Sequence, residues 1–315
     1  MTRLNQLGKI RRFGLLGSIG LIGHAIRYYA GKYLMRRRSI VRRIHDYKLR
    51  LDLYDSGLSK DIAVRGTREE QLKYIIDREV NNGDVILDVG ANIGYYAIML
   101  AKKVGSRGKV YAIEPEPNNM IRLEENIRLN GVNSIVEPFK IGVADNIGVG
   151  KLHVSKFSNL HSFFRSEYGI EGHKPIEVPL TDISSFIKGK RPVDLLRMDV
   201  EGYEVEVING LERAIKNGSW TGGILFECHY PTYDDATHSM RVPLQMLFKH
   251  GYQAKYLTSS DENKPRIRDL GYQPVALVQT NDTRYRGIYR DISNKDTEML
   301  ICNTGGVRDA MMVKT

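Results

Sequence analysis

The sequence predicts an α/β fold: a mostly parallel sheet with helices on both faces and an antiparallel hairpin towards the C-terminus. Three observations predict it. Short, largely apolar runs recur at 85–89, 109–113, 193–198 and 222–226, the pattern of strands buried on both faces. Segments with helical spacing alternate with them. The runs also end on carboxylates, Glu114, Asp199 and Glu227, and ligands of open α/β sheets sit at the carboxyl ends of the strands.

At 315 residues the chain can bury a substantial core. The expected division is a basic N-terminal segment over 1–45, one domain over 46–305 and a tail over 306–315. Charge is unevenly spread. Residues 1–50 hold thirteen Lys and Arg against one acid, Asp46, whereas the remainder holds 34 basic and 36 acidic residues. The basic character therefore belongs to the N-terminal segment, which argues against a nucleic-acid partner for the body of the chain.

Residues 13–26 are apolar but short and interrupted by glycines, with Arg11 and Arg12 before them and Arg27, Lys32 and Arg36 to Arg38 after. A spanning helix needs about 20 apolar residues. Basic residues with Tyr28, Tyr29 and Tyr33 among them suit an anionic membrane surface. A spanning or signal segment and a solvated basic arm are the alternatives. The location expected is cytoplasmic, at the inner face of a membrane.

Residues 47–54 alternate apolar and polar, so they read as a half-buried strand. A helix is expected over 66–80, with Glu69 and Glu70 in its first turn favoured by the helix dipole. Residues 84–94 read DVILDVGANIG, a strand running into Gly90, Asn92 and Gly94 and then a helix over 95–103. Glycines there let backbone approach a ligand closely. The spacing is Gly-x-Asn-x-Gly, not that of a dinucleotide fold. Asp88 would repel a pyrophosphate and favour a ligand carrying an amine or sulfonium charge. Glu114, at the tip of the next strand, is placed to accept both hydroxyls of a ribose. A helix to about Asn130 and a third strand over 132–139 follow.

The fourth strand runs into Asp199, Glu201 and Glu204 within DLLRMDVEGYE, and a helix reaching Ile215 is expected after it. With the glycine turn and Glu114, this segment resembles the FkbM family of class I S-adenosylmethionine-dependent methyltransferases over roughly 47–303. The resemblance implies a Rossmann-like class I sheet, S-adenosylmethionine as cofactor, and O-methylation, often of sugar hydroxyls in glycans or glycolipids. It also implies that Glu69 lies near the cofactor, where the alternative is a helix cap, and that the segment 140–145, with Gly142 and Asp145, passes beside the adenine. Residues 148–181 resemble a family insertion, with short strands at 151–154 and 176–180 around a polar loop over 158–173. His161 and Ser162 are its candidates for hydroxyl recognition, although a lone His is more often a surface residue.

The fifth strand ends in Glu227, Cys228, His229 and Tyr230. Glu204 and Glu227 are candidates for acceptor binding; otherwise Glu204 caps its helix and Glu227 pairs with a basic side chain. A short helix over 243–250 and closing strands over 252–258 and 298–302 complete the domain. The Tyr- and Arg-rich stretch 284–290 either lines an acceptor groove or is a solvated loop. Cys228 and Cys302 read as small core residues of a reducing compartment.

A hydroxyl acceptor, a small molecule or a glycan, needs its proton removed. Asp199, Glu201 or His229 beside Glu227 could take it. A divalent metal is compatible with the oxygens of Asp199, Glu201 and Glu227, but nothing in their spacing requires one. Readings from other classes are a nicotinamide-dependent oxidoreductase on a similar sheet, which the glycine spacing disfavours, and a non-catalytic membrane-tethered binding module. A base methyltransferase would need an Asn/Asp-Pro-Pro-aromatic segment where this chain has Asp199-Val-Glu-Gly.

Overall fold

The computed structural model describes residues 14–164, 174–264, 266–280 and 284–315. Arg11, Arg12 and the 165–173 part of the expected polar loop lie outside these.

Ser39–Ile44 (β1) and Tyr47–Asp52 (β2) form an antiparallel hairpin. Its alternation does what period-two spacing requires: Tyr47, Leu49, Leu51 and Leu53 are all buried. The first strand of this hairpin begins before residue 46, so the fold reaches into the basic segment. Helix Gly14–Tyr29 precedes it, and the buried Tyr28 donates from its hydroxyl to Leu53 O at 3.0 Å. Among the described residues no helix is long and apolar enough to cross a membrane.

Val85–Val89 (β3), Lys109–Ile113 (β4) and Val136–Phe139 (β5) pair in parallel. Gly142–Val143 (β6), Gly148–Leu152 (β7) and Ile176–Thr181 (β8) make a separate small sheet. Leu195–Met198 (β9) and Gly223–Glu227 (β10) extend the parallel array beyond β3. Tyr252–Ser259 (β11), Ala276–Gln279 (β12), Tyr285–Tyr289 (β13) and Val307–Lys314 (β14) add antiparallel partners. The main sheet runs β12-β13-β11-β14-β10-β9-β3-β4-β5.

Both faces are covered, as the apolar runs require. Ile86 packs with helices Leu58–Arg65, Glu70–Glu79, Tyr95–Val104 and Pro117–Leu129; its neighbours Val85, Leu87 and Val89 pack the other way, with Glu204–Asn209, Glu212–Lys216 and Arg241–Lys249. The helix expected after the DVEGYE turn, reaching Ile215, is broken at Gly210, where a Cβ would stand 2.2 Å from Ala144 O.

Three expectations are corrected. Residues 298–302 are not a strand: Asn294–Glu298 is a helix, capped by Ser293 accepting from Asp296 N, and Met299–Thr304 continues as a wider helical turn holding Cys302. Its short apolar run has no period to separate helix from strand. The supposed tail is β14, between β10 and β11 near the middle of the sheet. Arg308 and Asp309 interrupt its apolar pattern because they serve a buried network. Residues 284–290 are not a solvated loop either, since Gly287, Ile288 and Tyr289 of β13 are buried.

Candidate active site

β3 ends at Val89, and the chain turns through Gly90 at φ +79° and Gly94 at φ +94°. Both positions require glycine. A Cβ on Gly90 would lie 2.0 Å from Asp199 O, and one on Gly94 2.9 Å from Leu123 Cδ1. The amides of Gly90 and Ala91 donate to Ile113 O, at 3.0 and 2.9 Å, which ties the turn to the end of β4. One residue on, Glu114 accepts from Asn92 N at 2.8 Å and from Glu116 N at 2.9 Å. Burial raises the Glu114 pKa, against those two amide bonds, to about 7.

Above this turn opens a cavity of about 820 Å³, counted out to the solvent at its mouth. Its lining includes Glu114, after β4, on one side of the glycine turn and Arg197, Asp199 and Glu201, in and after β9, on the other, with Gly90 itself against Asp199 O; Gly142, Val143 and Phe163 line it too. Ser158 closes it over. Its carbonyl accepts from Asn92 Nδ2 at 2.8 Å and Asn119 Nδ2 at 2.9 Å, and its hydroxyl donates to Asp55 at 2.7 Å.

The β9 side is dense in charge. Asp199 follows β9, and Glu201 stands in the left-handed region at φ +50°, a conformation retained only where surrounding structure enforces it. His229 Nε2 faces Glu227 Oε1 at 3.3 Å, Glu201 Oε2 at 3.4 Å and Asp199 Oδ1 at 4.0 Å. Its Nδ1 lies 2.9 Å from Glu204 Oε1. Burial opposes a charge on His229, but Glu204 and the contacts with Glu201 and Glu227 outweigh it and hold the pKa well above the ordinary histidine value. Burial raises the Glu201 carboxyl, partly offset by His229.

The structure brings Gly90, Asn92, Glu114, Asp199, Glu201 and His161 around one cavity. His161 is half-buried, and its Nδ1 accepts from Ser155 N at 3.0 Å. Other candidates stand elsewhere. Asp88 is fully buried under the turn and takes its cation from Arg197 Nη1 at 3.2 Å, so a ligand charge is not what it faces. Both residues lie in strands covered on two faces, and each stabilises the other's burial. Asp145 is exposed; Gly142 and Val143 line the wall in its place. Ser162 donates to Glu201 O at 3.2 Å and steadies that turn. Glu204, fully buried, holds His229 and accepts from Tyr233 OH at 3.0 Å. Glu227 pairs with Arg308 at 2.5 Å. Glu69 pairs with Arg68 and Arg308 and accepts from Tyr96 OH, and the two arginines hold its carboxyl far below the usual range despite burial.

Sequence reasoning missed Arg197, Arg308, Ser158 and Asp55. Arg197 carried a signal, a lone cation inside a buried apolar run beside a strand containing Asp88.

The description "Methyltransferase FkbM domain" belongs to the family model that matches residues 88–254 of this chain. The chain belongs to the FkbM methyltransferase family. Among curated proteins, this FkbM chain is similar to the hexuronic acid methyltransferase AglP of Haloferax volcanii, 27% identical over 169 residues, which covers 53% of this chain and 65% of that protein. It is also similar to the tRNA(Phe) (4-demethylwyosine(37)-C(7)) aminocarboxypropyltransferase of Methanocaldococcus jannaschii, 30% identical over 180 residues, covering 53% of this chain and 68% of that protein. A solved FkbM methyltransferase from Methylobacillus flagellatus superposes with a TM-score of 0.37 at 18% identity, covering 66% of this chain and 43% of that one.

Proposed function

We propose that this FkbM chain transfers a methyl group from S-adenosylmethionine to a hydroxyl of a sugar in a glycan or glycolipid. The observation that carries the reading is the cavity above the glycine turn, lined by Glu114 after β4 on one side and by Asp199 and Glu201 after β9 on the other. Glu114 accepts the ribose hydroxyls, Gly142 and Val143 bound the adenine, and the sulfonium methyl points towards Asp199 and Glu201. The acceptor oxygen forms a bond to the methyl carbon as the carbon–sulfur bond breaks, and the hydroxyl proton passes to a carboxylate. Glu201 is the acceptor of that proton, since it lines the cavity next to Asp199 and burial raises its pKa, partly offset by His229. Orientation supplies much of the rate, up to about 7–11 kcal/mol in well-aligned cases.

The similarity to a hexuronic acid methyltransferase supports a sugar acceptor. The near-neutral body of the chain disfavours a nucleic acid. Ile22, Ile26, Tyr29, Tyr33 and Leu34 are exposed beside Arg27 and Arg36 to Arg38, which supports a peripheral contact with an anionic membrane and hence a lipid-linked acceptor. Co-sedimentation with anionic and neutral vesicles tests this contact; equal binding to both contradicts it.

The reaction is tested with methyl-labelled S-adenosylmethionine and a panel of hexose- and uronic-acid-terminated oligosaccharides. A base-stable methyl ether on a sugar hydroxyl is expected. A base-labile methyl ester, or transfer to no sugar of the panel, contradicts the reading.

A further inference from the structure

We propose that Asp199, Glu201 and His229 form a divalent-cation site at the acceptor end of the cavity, with Glu204 as the positioning residue that aims the histidine. Its use in catalysis rests on the methyl-transfer reading; its existence rests on geometry alone. One donor atom from each of the three residues lies within 4.8 Å of the others. Nε2 of His229 is 3.4 Å from Glu201 Oε2 and 4.0 Å from Asp199 Oδ1. Donors that share one ion through bonds of about 2.1 Å stand roughly 3–4 Å apart, so a modest inward shift completes the set.

Two further observations point to a cation and not merely to crowded acids. Asp199 Oδ1 is buried and has no hydrogen-bond partner among the described residues, while its other oxygen meets Arg197 Nη2 at 3.4 Å. The histidine is also placed as a metal-binding imidazole is placed, and a cation at Nε2 would displace the proton that the surrounding carboxylates favour there. Nδ1 contacts the fully buried Glu204, which is itself fixed by Tyr233 OH and by Gly202 N at 3.2 Å, so Nε2 is directed at the carboxylates. Glu227 Oε1 also approaches Nε2, at 3.3 Å, but the same oxygen is shared with Arg308 at 2.5 Å, which leaves it a cation partner already.

One imidazole and two carboxylates suit a first-row ion of the Mn²⁺ to Zn²⁺ kind; Ca²⁺ asks for six to eight oxygens. Asp199 and Glu201 line the cavity, so the ion's remaining positions face the acceptor. An ion there lowers the pKa of a bound hydroxyl and brings it next to the sulfonium methyl.

The test is titration of Mn²⁺ into the tag-free full chain after chelator treatment, reading the free-ion electron paramagnetic resonance signal. Calorimetric binding of S-adenosylhomocysteine is measured on the same samples. One Mn²⁺ per chain is expected, lost in Asp199→Asn and in His229→Gln, and weakened 10–100-fold in Glu204→Gln. The surface change Glu212→Gln leaves it intact, and thermal melts report whether each variant is folded. Absence of stoichiometric Mn²⁺ binding in the unaltered chain, or binding that survives both ligand substitutions, overturns the site. S-adenosylhomocysteine binding without Mn²⁺ binding removes the cation and keeps the transferase; Mn²⁺ binding without S-adenosylhomocysteine binding does the reverse.

Discussion

The two sides of the cavity are built by different means. The side formed by the glycine turn, Asn92 and Glu114 is a matter of backbone: two glycines at positive φ, the first of them against Asp199 O where the two sides meet, amides committed to Ile113 O, and one carboxylate receiving two N–H groups. The side formed by Asp199, Glu201 and His229 is a matter of charge, with carboxylates converging on one ring from separate strands and loops. Arg197 joins them, paired with Asp88 under the first and Asp199 at the second. Shape in one half and charge in the other allow a cofactor to be held by geometry while the acceptor side is tuned electrostatically.

Replacing the joint should cost most. Arg197→Met leaves the buried Asp88 carboxylate without its cation, and breaking such a pair costs about 3–5 kcal/mol. Chemical denaturation of Arg197→Met, Asp88→Asn and the double variant gives the cycle. Most of the loss should return in the double variant; a single-variant cost within the error of the measurement would show that the pair does not hold the two halves.

Next comes shape. Gly90→Ala adds a Cβ where Asp199 O already stands and forces a strained φ, for about 3 kcal/mol of stability and loss of S-adenosylhomocysteine binding. A variant that melts and binds like the parent chain would mean that the turn is not what shapes the cofactor end. Glu201→Gln tests the charged end alone. It should lower kcat by about a hundredfold or more, some 3 kcal/mol of barrier, with cofactor affinity unchanged.

The smallest effect expected is at Glu114. Truncation to Ala should weaken S-adenosylhomocysteine about tenfold, near 1.4 kcal/mol. Ribose hydroxyls donate to the ionised carboxylate, so binding favours the deprotonated form of a group whose free pKa is raised to about 7. Affinity should therefore rise from pH 6 to pH 8 and level off above, and Glu114→Ala should flatten that profile. A parent profile that falls over this interval contradicts the assignment.

The same contrast explains what was legible. Residues 84–94 and Glu114 are close in sequence, and strand, glycines and acidic tip are read in one pass. The charged end is assembled from four separate stretches, Arg68 and Glu69, Asp199 and Glu201, His229, and Arg308, which no single local pattern links. Asp199, Glu201 and His229 could be named because they lie at or just past the ends of apolar runs. Arg308 could not, because β14 looked like a tail: its charged residues serve a buried network in which Asp309 accepts from Gln71 Nε2 at 3.0 Å and Thr258 Oγ1 at 2.5 Å. Asp88 was located but misassigned, since in a strand buried on both faces alternation does not reveal where a carboxylate points.

The most direct measurement is calorimetric titration of S-adenosylhomocysteine into the full chain, Glu114→Ala and Glu201→Gln. Separate halves predict one-to-one binding that is equal in the parent chain and Glu201→Gln and about tenfold weaker in Glu114→Ala. Equal losses in both variants, or no binding to the parent chain, would contradict a cofactor end that stands apart from the acceptor end.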